Sequence, residues 1–374
     1  MAAVDCVQGH TAQIYDRGGR VRMFQVHDMT EVRWTRVRDD ISEANIKIAA
    51  ANCFRQEIDL NRIEAERHEL VLFRGRDRVW EGPITRLAES ADEMEIHAQD
   101  VMHYASRTVM QNAYDNAYPR VVPAIDRIKA ILLSELSRKE ATEQAAYPGP
   151  GLPSYNVIEH IVFHQTASDA NTSRKTPIMH KTVWEEIDDM AAKGGIDYTV
   201  VGRAIHVWDT SKELGRTRTI TEADLGARIK LTMYGMDLAT RAIVTDGEGA
   251  YGQAGGVDPY YGLVENLETA YDETEGADPP TSAEMASQAA RNLVGRNPAP
   301  IVVRVPDNST LTLSAGLQLA DLVPGVFMPL RAKILIRTFN QMQKLDKVSV
   351  IEDASGEKVQ VTMSPATQPD EVTP

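Results

Sequence analysis

Residues 194–209, GGIDYTVVGRAIHVWD, read as the stop of a helix followed by two strands folded around a tight Gly202-Arg203 turn. Gly194 suits a left-handed helix cap, and Gly202 can take the positive φ that a two-residue hairpin turn demands. Just upstream, Thr182 and Glu185 have the spacing of a capping box, and Val183, Ile187, Met190 and Ala191 form one apolar stripe. A helix and a hairpin are therefore predicted in the middle of the chain. The unit carries no cluster of groups suited to chemistry.

Toward the N-terminus, residues 12–98 alternate in short bursts broken by turn residues, as half-buried antiparallel strands require. Ala44, Ile46, Ile48 and Ala50 share one face, and Met94, Ile96 and Ala98 another; 70–73 and 79–85 flank the turn at 74–77. This predicts a meander of six or seven strands, the raw material of a small barrel or sandwich, because closing a sheet removes its edges. Pro123 with Ile125, Ile128, Leu132 and Leu136 predicts a helix over 123–138. The stretches KEATEQAAYPGPGLPSYN and HQTASDANTSRKTP read as loops.

Beyond residue 216, strands are predicted at 228–233, 239–245, 301–305, 310–313, 333–338, 347–351 and 357–363. An irregular acidic stretch, YGLVENLETAYDETEGADPP, interrupts them, followed by a helix that Thr281 and Glu284 cap and Gly295 ends. Two β regions of similar size suggest a diverged internal duplication.

At 374 residues the chain has room for roughly two to three domains of about 150 residues. The 54 acidic and 40 basic residues give a formal charge of −14, which disfavours a groove that grips nucleic acid through phosphates. Cys6 and Cys53 are too few for a disulfide framework or a thiolate metal site. No apolar run approaches the length of a membrane span, and MAAVDCVQGH lacks the features of a signal peptide.

Each motif with chemical potential has a plain structural alternative. Gly247, Gly249 and Gly252 satisfy G-x-G-x-x-G, but no helix can start promptly after them, so a glycine-rich strand connection is expected rather than a dinucleotide site. His160 and His164 would share one face of a helix and, with His180 as a distant third ligand, could hold a structural metal; the alternative is ordinary histidines around a short buried segment. The pairs Glu185/Glu186 and Asp188/Asp189 are expected on the polar face of an amphipathic helix, and Asp272/Glu273 in a loop. Trp34 and Trp80 sit on strands, as core fillers or as interface residues at an edge that Pro83 marks.

Several stretches in order resemble the tail hub proteins of tailed bacteriophages, also called minor tail proteins or baseplate hubs. These are VRWTRVRDDISEANIKI, RDRVWEGPITRL with EMEIHAQD, the helix and hairpin of TVWEEIDDMAAKGGIDYTVVGRAIHVWD, and LVPGVFMPLRA with LDKVSVIEDASGEKVQVTMSP. The resemblance implies a mixed, mainly β chain with two small antiparallel β-barrels, an α/β domain between them and a helical insert in the second barrel region. The expected limits are 1–110 for the first barrel, 111–210 for the α/β domain with mobile loops, and 211–250 with 300–364 for the second barrel. An acidic loop and helix insert would span 251–299, and a disordered tail 365–374.

It further implies a homotrimer at the virion tail tip, assembled in the host bacterial cytoplasm. The trimer would adapt the sixfold tail tube or distal tail ring to a threefold spike or central fibre, and line a channel for the tape measure protein and DNA. No catalysis, cofactor, sequence-specific nucleic-acid binding or membrane insertion of its own is expected. With the polar ending SPATQPDEVTP, no cell-wall-degrading domain and no lytic activity of its own are expected. Two rival readings are a tail enzyme using His160, His164, His180 and the acids near Asp272, and a carbohydrate-binding module using Tyr260, Tyr261 and Tyr271.

Overall fold

The computed structural model describes residues 7–53, 57–114, 122–147, 152–165, 171–172, 178–192, 195–210, 212–226, 228–233, 235–269, 281–293, 296, 301–334, 337–366 and 370–372. The alternation in the first hundred residues yields strands β1 (His10–Asp16), β2 (Arg22–Val26), β3 (Met29–Val37), β4 (Glu43–Ala49), β5 (His68–Arg74), β6 (Asp77–Glu89) and β7 (Glu93–Gln99). Short helical turns α1 (Ala50–Cys53), α2 (Glu57–Leu60) and α3 (His103–Ser106) lie among and after them. The middle of the chain supplies β8 (Val122–Pro123), α4 (Ala124–Ala146), β9 (Ile161–Phe163), β10 (Asn171–Thr172), α5 (Val183–Ala192), β11 (Ile196–Val201) and β12 (Ala204–Asp209).

The last third begins with β13 (Ile220–Thr221), β14 (Lys230–Met233), β15 (Arg241–Thr245), β16 (Tyr251–Gly255), β17 (Glu265–Thr269) and α6 (Ser282–Leu293). Then come β18 (Ile301–Arg304), β19 (Ser309–Thr310), β20 (Phe327–Ile334), β21 (Arg337–Asp353), β22 (Gly356–Pro365) and β23 (Asp370–Val372).

The N-terminal strands are where the alternation puts them, but the strand expected at 333–338 is divided between the end of β20 and the start of β21, only Ser309–Thr310 forms at the strand expected over 310–313, and the two separate barrels do not form. The N-terminal and C-terminal strands form one 13-stranded sheet with the path β13-β20-β21-β3-β4-β7-β6-β5-β1-β2, flanked by β19, β22 and β23. Among the described residues no sheet closes on itself or curls strongly. The first region is also no simple meander, since β4 pairs with β7 rather than β5. Period-two alternation fixes which face of a strand is buried and leaves open which edge it pairs with.

Strand β21 makes the continuity. Its 17 residues pair first with β20 and β23, then with β22 on one edge and β3 on the other, with Val350 opposite Trp34. The polar run through its middle, FNQMQKLD, falls between the strands expected at 333–338 and 347–351, yet Gln341, Gln343 and Lys344 are buried within the ladder. One apolar core accordingly takes Ile14, Trp34, Ile46 and Ile96 from one end of the chain and Leu330, Val348, Val350 and Val361 from the other. Arg36 clips this core by donating to the carbonyls of Val79 (2.9 Å), Leu319 and Leu322, and burial lowers its pKa to about 10.

A second core lies in the middle unit, where Ile128, Ile131 and Leu132 of α4 meet Val183 and Ile187 of α5 and Tyr198, Ile205 and Val207 of the hairpin. The capping box holds, with the Thr182 amide donating to Glu185 (2.7 Å) and the Glu185 amide to Thr182 Oγ1 (3.3 Å). Gly202 turns the hairpin at φ 59°. Helix α4 runs eight residues past the expected end at 138, because KEATEQAA is built of strong helix formers that the following prolines do not reach. Gly194 and Gly295 lie outside the described residues, as does most of the loop at 164–177.

The stretch expected to be an irregular insert contains β16 and β17, which flank β15 in a three-stranded sheet under α6. Ala242 and Val244 pack there against Met285 and Ala289. Part of the tail expected to be disordered forms β23 against β21. No described helix is long and apolar enough to cross a membrane.

Gly325 joins the C-terminal strands to the middle unit. It adopts φ +98°, and a Cβ there would stand 2.2 Å from Cζ2 of Trp208, a fully buried ring. Gly325→Ala is expected to lower unfolding stability by about 2–5 kcal/mol, combining left-handed strain with overpacking, as read by urea denaturation.

Candidate functional site

Two ionic seams fasten the β11–β12 hairpin to the large sheet. At its tip, Arg203 contacts the wholly buried Glu69, reaches Glu81 at 3.3 Å and donates to the Tyr155 carbonyl at 2.7 Å. Glu69 also accepts from the Gly18 amide (2.8 Å) and the Tyr104 hydroxyl. Burial pushes its carboxyl above the usual range while Arg203 opposes the shift.

At the hairpin's base, Asp197 contacts Lys344 and accepts from Arg38 at 3.2 Å, and Arg38 also binds Asp346 at 2.7 Å. Asp39 accepts from the Tyr198 amide; burial, then the neighbouring Asp197, raise its carboxyl to about 6. Partners from distant strands occupy these carboxylates, an arrangement suited to fixing orientation rather than moving protons. Neither seam was foreseen from the sequence, because each unites residues more than a hundred positions apart.

The histidines fall differently from the predicted helical pair. His160 ends a 3₁₀ turn (Ile158–His160) and His164 follows β9, so no shared helical face exists. His180 sits in an exposed turn. His164 instead meets His206, with Nε2 and Nδ1 2.9 Å apart and rings within 18° of parallel, and burial lowers the pKa of both.

Among the described residues one group could offer a metal three ligands: His10, Glu352 and Glu357. Those atoms are already committed. His10 Nδ1 lies 2.5 Å from Glu352, His10 Nε2 accepts from Trp34, the amides of Gln8 and Gly9 donate to Glu352, and Arg74 grips Glu357 at 2.7 and 2.8 Å. A cation placed there would meet the Arg74 guanidinium, so the residues do not fit a metal.

Trp34 and Trp80 are 0% and 2% exposed, inside the core of this chain. Gly247 and Gly249 lie in the β15–β16 turn, where Asp246 accepts the amides of Glu248, Gly249 and Ala250. Gly252 lets β16 touch α6, since a Cβ there would stand 2.1 Å from the Ala286 nitrogen. Along α5, Glu185 caps and Asp189 binds Lys181, but Glu186 is buried rather than solvated. Asp272, Glu273 and Tyr271 lie outside the described residues.

The surface most unlike a solvated face is on the β15–β17 sheet. Its inner side is covered by α6, and its outer side presents Ile243, Tyr251 (57% exposed) and Leu267 (68%). Arg241 pairs with both Gly255 and Glu265, so the loop 256–264 projects from that end, carrying Val257, Tyr260, Tyr261 and Leu263. The loop is held firmly. Asp258 accepts the amides of Tyr260 (2.8 Å) and Tyr261 (2.9 Å), Asp258 and Gly262 exchange backbone bonds, and Thr240 Oγ1 accepts from Val264. The sequence had shown these tyrosines without the turn that fixes them.

No family model matches the chain, and no curated protein matches it. Solved structures do. The 43 kDa tail protein of prophage MuSo2 from Shewanella oneidensis aligns at TM-score 0.59 and 10% identity, over 95% of this chain and 98% of that one. The tail protein from Neisseria meningitidis MC58 gives 0.52 and 12%, over 95% and 96%. Prophage tail protein gp18 from Listeria monocytogenes EGD-e gives 0.53 and 8%, over 96% and 95%. The chain thus shares, nearly end to end, a fold found in phage tail proteins.

Two outcomes check the seam and the histidine pair. Arg203→Ala, which strands Glu69, should cost about 3–5 kcal/mol in urea unfolding, and adding Glu69→Gln should recover part of the loss. Burial, then His164 and Arg36, hold His206 at about 4, below its ordinary 6.5. Its contribution to stability is present above pH 6.5 and lost as pH falls through 4, so His206→Phe should flatten the urea midpoint across that window.

Proposed function

We propose that the chain is a structural component of a phage-type tail, a trimeric hub at the tail tip. The observation that carries this reading is the alignment of 95% of the chain with 98% of a prophage tail protein. Such a trimer would meet a sixfold tail tube or distal tail ring on one side and a threefold spike or fibre on the other.

The central passage would carry the tape measure protein and then DNA, and a net charge of −14 suits a wall that DNA must not grip. On this reading the chain works by assembly, without catalysis or cofactor. It would be built in the host bacterial cytoplasm and carried in the virion. The ionic seams support this role, because a protein that transmits load benefits from units locked in one orientation.

Light scattering of the purified chain at several concentrations should give a mass near three times 41.4 kDa. A stable dimer would sink the hub assignment.

A further inference from the structure

The outer face of the β15–β17 sheet and the Tyr260-Tyr261 turn have the make-up of a docking surface. Exposed apolar side chains recur here, with Tyr251 and Leu267 on the sheet face and Val257, Tyr260 and Leu263 on the loop at its end, and a concentration of this kind marks a macromolecular contact more than a solvated face. The turn is preorganised by Asp258, so its two tyrosines present large, amphipathic area at small entropic cost. Their rings cross at 87° with centroids 4.9 Å apart, which gives no flat shared platform for a sugar ring.

The charge around the patch selects the occupant. Residues 235–269 hold six carboxylates against the single cation Arg241; Glu268 lies on the α6 side, opposite Val244, and meets Arg296 at 3.3 Å, which leaves Asp237, Asp246, Glu248, Asp258 and Glu265. Arg241 already leans on Glu265 at 3.2 Å and on Gln253. A second copy brought face to face would set acid against acid, on a chain already at −14.

The geometry points to a heterologous contact: this face takes a different protein, with an apolar centre that receives Tyr260 and Leu267 and a rim of lysine and arginine. The inference rests on the proposed role as a tail component and specifies the chemistry of one neighbour. Trimer contacts would then lie elsewhere on the chain.

The test places the photo-crosslinking residue p-benzoylphenylalanine at position 260 of the full chain, co-expressed with the complete set of tail proteins, and irradiates purified tails. The expected product is an adduct with a different chain, at a peptide rich in Lys or Arg. Its yield should fall about tenfold when Asp237→Lys and Glu265→Lys are combined. Adducts to a second copy, a glycan adduct, no adduct in tails that contain the chain, or a yield unchanged by charge reversal would each overturn the docking assignment and leave the tail reading standing. A folded chain that never enters the particles would overturn both.

Discussion

The pairing of β21 with β3 is the contact on which the architecture depends. Lys347 to Glu352 lie in antiparallel register with Val37 to Val32, which places the buried Val350 opposite the buried Trp34. Without this ladder the N-terminal strands end at an exposed β3 edge and the C-terminal strands at an exposed β21 edge, each half with a core open on one side. With it, one apolar interior serves both. The same juncture is reinforced by His10 and Glu352, which satisfy each other and the Trp34 indole inside that interior.

The middle unit is fastened by a different kind of force. Its own core is apolar and local, but the β11–β12 hairpin meets the sheet through Arg203, Glu69 and Glu81 at one end and Asp197, Lys344 and Arg38 at the other. Buried ion pairs of this sort contribute less to net stability than apolar packing of equal volume, yet breaking one partner is costly. They therefore penalise a misplaced hairpin more than they reward a correct one, which favours a single docking geometry.

What could be read from the sequence was whatever is local. The Thr182 capping box, the Gly202 turn and the alternation of Ile46 and Ile48 each depend on neighbours within a few residues. Strand pairing is not local, and two barrels were expected where one sheet runs through. The polar centre of β21 disguised a continuous strand because Gln341, Gln343 and Lys344 are buried with polar partners rather than apolar ones. The histidine pair failed for the same reason: a spacing of four suggested a helix face, while the partner of His164 was His206, across the sheet. Tyr260 and Tyr261 were visible, but the Asp258 turn that fixes them was not.

The β3–β21 ladder also sets a timetable for the nascent chain. The contact from His10 to Glu352 closes a loop of 342 residues, and long-range pairings of this kind are entropically the last and slowest to form. During synthesis the N-terminal strands therefore wait, with the β3 edge unpaired, until β21 has left the ribosome. Throughout that interval an unpaired strand edge is open to any neighbouring chain at the same stage, which is the kind of edge that association in the wrong register exploits.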